Sequence, residues 1–234
     1  MNINFKEIFT PFVDFIFPKI CIVTGERIKD TNSNNFVKDE VINNLEKTTL
    51  FDISKLKEKT KKNNCFSLYK YRENSDIQII IHHIKYNGFK NLGIYIGELI
   101  AKELTEANTD LQNYDLIIPI PLHKSKLRER GYNQSDYISK GINKHLKINF
   151  NNYSFIRKKN TKSQTKLTIE ERYKNMKDAF MVIPDYRKLI KDKKIILVDD
   201  VITTGATISE ACKTLYKAHA SEIFIISAAF TVFD

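Results

Sequence analysis

Residues 193–212 read KKIILVDDVITTGATISEAC. Ile195, Ile196, Leu197 and Val198 form a short β-branched-rich run behind two lysines, the composition of a buried strand in a parallel sheet. From Ile208 the apolar positions recur at Ala211, Cys212 and Leu215, the stripe of an amphipathic helix. Between the two, Thr203-Thr204-Gly205-Ala206-Thr207 carries no bulky side chain. Gly205 opens backbone angles closed to other residues, and the threonines offer hydroxyls and caps. A strand, a small-residue loop and a helix N-terminus together present outward N–H groups and a dipole that favours phosphate. Asp199 and Asp200 are wrong for gripping phosphate. They suit sugar hydroxyls, or a divalent cation held between sugar and phosphates. A ligand with both a ribose and a phosphate reconciles the acids with the loop.

Other readings of the stretch fare worse. No G-x-x-x-x-G-K-[ST] occurs, which argues against a nucleotide hydrolase, and no G-x-G-x-x-G supports a dinucleotide. A signalling-receiver phosphoacceptor would set its acids on the first strand, whereas this pair lies near the C-terminus. Solvated acids on a plain strand–turn–helix remain the bland alternative, which the attached T-T-G-A-T disfavours. Neighbouring carboxylates repel, a standing cost unless a ligand or cation relieves it.

The segment LVDDVITTGAT resembles the phosphoribosyl pyrophosphate signature of type I phosphoribosyltransferases. IPIPLHKSKLRERGYNQSDYISKGI at 118–142 and RKKNTKSQTKLTIEERYKNMKDAF at 157–180 resemble segments of the ComF family of competence proteins. With SLYKYRENSDIQIIIHHIKYNGFKNLG at 67–93, the likeness covers about the last two thirds of the chain. The resemblance implies an α/β, type I phosphoribosyltransferase-like fold: a central, mostly parallel sheet flanked by helices, behind an N-terminal appendage. It implies that Asp199 and Asp200 bind ribose hydroxyls and act as the catalytic pair. Val201 and Thr203, Thr204, Gly205, Ala206 and Thr207 would complete the 5′-phosphate site, and Leu122, His123, Lys124 and Lys126 the pyrophosphate loop. Mg²⁺ would arrive with phosphoribosyl pyrophosphate, with no protein-only metal site. In the 6-oxopurine branch an acid stands where this chain has Thr203, which argues against that substrate class.

At 234 residues and 42% hydrophobic content, the chain has room for one domain with an appendage. The boundary is expected at 66/67, with a degenerate ribbon region at 1–66 and the phosphoribosyltransferase-like domain at 67–234. No apolar stretch reaches membrane-spanning length. The opening MNINFKEIFTPFVDFIFPK carries Glu7 and Asp14 and reads as an amphipathic helix with Phe5, Phe9, Phe12 and Ile16 on one side, not as a signal peptide. A cytoplasmic protein with no membrane partner is expected. Cys21, Cys65 and Cys212 are too few and too scattered for a disulfide framework. ComF relatives often open with a zinc ribbon. Here CIVTGE puts Thr24 where the second ligand would stand, so no zinc is expected.

Of the formal net charge of +10, residues 122–172 supply +9, with thirteen Lys and Arg against four Asp and Glu. Arg128, Arg130, Arg157 and Arg172, four of the seven arginines, lie there. A concentrated basic window reads as a phosphate or nucleic-acid surface, with solvated loops as the alternative. Arg128, Arg130, Asn133, Gln134, Arg157, Gln164 and Arg172 are the lid or nucleic-acid candidates, and Tyr132, Tyr137, Tyr153 and Tyr173 could stack on bases.

Along the chain, a helix is expected from Asp76 to the Asn87-Gly88 break and a second from Leu92 to Leu104. Asp115–Ile120 reads as the first core strand, and a helix is expected to start near Arg128. Short strands at 154–157 and 179–183 should bracket a polar arm, and a strand at 223–228 should close the sheet. Two functions stay open: a phosphoribosyltransferase of unknown acceptor, or a non-catalytic module binding the ribose phosphate, single-stranded DNA or competence-machinery proteins.

Overall fold

In the computed structural model, which describes residues 16–29, 31–60, 63–161 and 168–232, the apolar run at 195–198 lies at the centre of a five-stranded sheet. The strands are β1 (Asn64–Tyr71), β2 (Leu116–Pro119), β3 (Asn149–Phe150), β6 (Lys194–Ile202) and β7 (Glu222–Thr231). Their order is β1-β7-β6-β2-β3, and every pairing is parallel. The pleat sends alternate residues to opposite faces. Ile196 and Val198 enter one apolar cluster and Ile195 and Leu197 the other, all four fully buried. Both faces are therefore covered, which is why the strand reads as an unbroken apolar run.

One face is covered by helices α3 (Asp76–Tyr86), α4 (Lys90–Glu106) and α6 (Gln134–Leu146). Ile77, Ile80, Ile81 and Ile84 form the buried stripe of α3, as their spacing predicts. The opposite face holds α9 (Ala206–Lys217) through Ile208, Ala211, Cys212 and Leu215. The short strands β4 (Phe155–Arg157) and β5 (Phe180–Val182) pack there with α7 (Ile169–Met176), which supplies the buried Met176. They pair antiparallel as a separate ribbon, so they do not extend the main sheet.

Three expectations need correction. The strand at the chain's end does not close the sheet, because β7 is interior and β1 lies outside it. The 66/67 boundary falls inside β1, whose half-polar NCFSLYKY continues a lysine- and asparagine-rich stretch and so lacks a strand's apolar signature. The N-terminal region is part of the same body. Lys70 N–H donates to the Glu46 carbonyl at 2.8 Å and Thr48 N–H to the Leu68 carbonyl at 3.0 Å, covering the outer edge of β1. Third, no helix starts at Arg128. Arg128 lies inside helix α5 (Lys124–Arg130), and Gly131, at φ 81°, ends that helix ahead of α6. Of the expected N-terminal amphipathic helix, Phe5, Phe9 and Phe12 lie outside the described residues, and Ile16 is half exposed.

Helices α4 and α6 meet backbone to backbone at two glycines. A Cβ on Gly97 would lie 2.9 Å from Gly141 Cα and collide with the Ile138 carbonyl, and one on Gly141 would collide with the Ile94 carbonyl. Neither carbonyl can retreat without unwinding its helix. Gly97→Ala or Gly141→Ala should therefore lower stability by about 2–3 kcal/mol, read as a fall in the urea midpoint. An unchanged midpoint in both variants would contradict this crossing.

Candidate ligand site

The cleft beyond the carboxyl ends of β2 and β6 has a volume of about 690 Å³, where ligands of open parallel sheets bind. Asp199 and Asp200 stand in its wall near the carboxyl end of β6 and are only 7% and 5% exposed. Asp199 Oδ1 accepts from the Asp200 N–H at 2.9 Å and the Ser135 hydroxyl at 3.3 Å. Asp200 Oδ1 accepts from the Val201 N–H at 2.7 Å. The repulsion expected between them is partly relieved from within, because Lys85 Nζ lies 3.1 Å from Asp200 Oδ2. Removing one member of such a pair costs on the order of 3 kcal/mol, so the acids are not a bare liability awaiting a ligand. Burial, and then the neighbouring Asp200 carboxylate, push the Asp199 carboxyl up to about 8.

The small-residue loop has the anticipated geometry. Gly205, at φ 79°, precedes the first residue of α9, so the helix N-terminus opens at the cleft. A Cβ there would come 2.8 Å from the Lys59 carbonyl, which ends α2 (Leu50–Lys59). Lys59 Nζ also donates to the Thr203 carbonyl at 3.3 Å, and the Tyr173 hydroxyl to the Thr204 carbonyl at 3.0 Å. The loop is thus gripped from two sides. Val201, Thr203, Gly205, Ala206 and Thr207 line the cleft. The Thr204 hydroxyl is buried off the cleft wall, with no hydrogen-bond partner among the described residues.

The remaining candidates divide. Leu122, Lys126, Arg130, Gln134, Arg157 and Arg172 line the cleft. His123 does not; its Nδ1 accepts the Ser125 N–H at 3.2 Å and caps α5. Lys124 and Arg128 are exposed outside the cleft. Asn133 is a buried strut, donating to the Ile120 carbonyl at 3.0 Å and to Asp136 at 2.7 Å. Gln164 lies outside the described residues. Among the proposed stacking tyrosines, Tyr132 is core, its hydroxyl donating to the Ile84 carbonyl, and Tyr173 is engaged with the loop.

The cations crowd one another. Burial, then Arg157 and Arg130, lower the Lys126 ammonium, and burial lowers Arg157 against the pull of Asp199. Such a cluster suits a multiply charged anion. Sequence reasoning missed Lys85 and the α3 wall, where Gln78, His82 and Tyr86 also line the cleft. A signal existed: Ile77, Ile81 and Lys85 recur every four residues, so Lys85 places a charge where the apolar stripe continues.

Residues 142–231 match the family described as phosphoribosyl transferase domain. A relative called DNA utilization protein YhgH, from Escherichia coli O157:H7, is 28% identical over 150 residues, covering 63% of this chain and 64% of that protein. Competence protein F of Haemophilus influenzae is 32% identical over 149 residues, covering 63% and 65%. Competence protein ComFC of Bacillus subtilis is 30% identical over 105 residues, covering 44% and 38%. The matches thus span less than two thirds of these relatives' own lengths.

The raised Asp199 carboxyl makes stability depend on pH with a definite sign. Its folded-state value lies above the unfolded one, so its contribution is complete below about pH 4 and is lost as pH rises through about 8. Asp199→Asn should remove that slope. Thermal melts of the two proteins should diverge between pH 5 and pH 9, the variant gaining on the parent as pH rises. Parallel curves would show that Asp199 is ionised throughout.

Proposed function

We propose, from the premise that this chain is a ComF-like protein with a type I phosphoribosyltransferase-like domain, that its cleft binds phosphoribosyl pyrophosphate and Mg²⁺. The observation that carries this is the conjunction of two buried acids, an open helix N-terminus and a bank of cations in one cleft. In this reading Asp199 and Asp200 hold the ribose hydroxyls, and the 203–207 loop holds the 5′-phosphate. Lys126, Arg130 and Arg157 face the pyrophosphate. Among the described residues no group of three or more His, Cys, Asp or Glu could hold a metal. The donor set therefore fits a Mg²⁺ held mainly by the ligand's own oxygens and water. Bound there, Mg²⁺ would supply charge neutralisation to the diphosphate. The protein's own part is to orient the ribose, exclude water and place cations against the leaving group, the requirements of displacement at an anomeric carbon. This is a transferase site whose acceptor is unassigned; the reading assigns no structural zinc.

Phosphoribosyl pyrophosphate with MgCl₂ should raise the parent's melting temperature. Replacing Asp199 and Asp200 together by Asn should weaken binding by on the order of 2 kcal/mol. No shift in the parent would remove the reading.

A second role rests on cations that the cleft does not use. Lys124, Arg128, Lys158 and Lys159 are exposed, and Tyr153 and Tyr186 form an edge-on pair with half of the Tyr153 surface free. The names of the relatives, DNA utilization and competence proteins, fit a nucleic-acid or DNA-uptake association. Single-stranded DNA would be held by phosphate contacts outside the ligand cleft, in a protein working in the cytoplasm. Among the described residues no helix is long and apolar enough to cross a membrane.

Affinity for an oligonucleotide should then fall with salt at a log–log slope of about −0.7 per phosphate neutralised. Lys124→Ala with Arg128→Ala should flatten that slope and leave the phosphoribosyl pyrophosphate melt shift intact. Loss of both activities together would place the DNA in the cleft instead.

A further inference from the structure

We infer that Lys85 is the positioning residue of the acid pair, fixing the Asp200 carboxylate so that the site selects a ribose phosphate over its 2-deoxy counterpart. The inference rests on the ribose-phosphate reading of the cleft and deepens it. Each acid has one oxygen tied to the strand backbone: Asp199 Oδ1 by the Asp200 N–H, and Asp200 Oδ1 by the Val201 N–H. Those two bonds engage only one oxygen of each acid and leave the second without a backbone donor. Lys85 supplies the countercharge for Asp200: its Nζ lies 3.1 Å from Oδ2, a buried oxygen that accepts no hydrogen bond among the described residues.

Lys85 reaches the acids from another element, the last turn of α3, and it lines the cleft. Its surroundings are mixed: Asp199 and Asp200 face it from β6, Tyr71 from β1, and Lys126 stands across from α5. Lys126 and Arg130 line the same cleft without an ion pair to either acid. An aliphatic side chain at 85 would continue the stripe of Ile77 and Ile81 and bury more apolar surface. The charge stands there against that gain. With a side chain 23% exposed, the ammonium meets both the buried acid and whatever enters the cleft. Two neighbouring carboxyl groups, one of them paired to a cation, match two neighbouring hydroxyls on one sugar face. A site built to hydrogen-bond a hydroxyl rejects the analogue that lacks it, because the buried acceptor is left unmatched.

The test uses the full chain with defined probes: ribose 5-phosphate, 2-deoxyribose 5-phosphate, and phosphoribosyl pyrophosphate with MgCl₂. Calorimetric titration should show the parent preferring the ribose probe by about 10-fold or more. In Lys85→Met that ratio should fall close to one, while Lys85→Arg should restore most of it. Lys85→Gln, which keeps length and polarity without charge, serves if the methionine variant does not fold, and apo melts establish that each variant is native. A native Lys85→Met or Lys85→Gln protein with the parent's ratio would overturn the inference while leaving the ribose-phosphate site standing. A parent that binds phosphoribosyl pyrophosphate but does not discriminate between the sugars would overturn it too. A parent that binds none of the three probes removes the ribose-phosphate reading, and the inference with it.

Discussion

Two carboxylates on consecutive residues, both more than nine-tenths buried, govern how this molecule is arranged. Burying one ionised carboxylate is costly and burying two side by side is worse, which is why burial and then Asp200 push the Asp199 carboxyl up. The sequence cannot offset this with the strand alone, since β6 contributes only two backbone N–H groups to the acids. The rest comes from elements distant in the chain: Lys85 at the end of α3 and Ser135 in the first turn of α6. Those helices are in turn placed by α4, which crosses α6 at the Gly97–Gly141 contact. The glycine crossing, which is not part of the cleft wall, thus bears on how near Ser135 comes to Asp199.

The N-terminal region belongs to the same arrangement. Its residues 46–48 cover the outer edge of β1, and α2 ends against Gly205 so closely that no side chain would fit. A loop meant to cradle phosphate needs its N–H groups held in place before the ligand arrives, or ordering them subtracts from binding. Here the Lys59 carbonyl and ammonium press on one side of the loop and Tyr173 on the other. What the sequence presents as an appendage serves as a buttress for the loop.

The opening stretch was legible because its signals are local. A β-branched run, a glycine that must adopt positive φ and an amphipathic stripe each act within a few residues, and β6, the 203–207 loop and α9 follow from them. Strand β1 was not legible. Its side chains alternate imperfectly, and it is covered by β7 on one edge and by residues 46–48 on the other, of which β7 lies at the far end of the sequence. The density of the basic window was legible from composition, but not which of its cations share a surface. Helix α5 turns Lys126 and Arg130 toward the cleft and leaves Lys124 and Arg128 outside, a division that helical phase could have supplied had the helix been placed from His123.

Lys85 shows why buried charges are the hardest part of a site to read in advance. Its partner is 115 positions away, and the pair exists only because β6 lies one strand from β1 across β7. Nothing in the motif around Asp200 asks for a lysine at that distance. What the sequence does contain is a violation: a cation on the stripe where isoleucine repeats. Local rules are broken where a function or a compensating contact demands it. An off-pattern charge on a core-facing helix therefore directs attention to an opposite charge buried elsewhere, and here that charge is the acid pair itself.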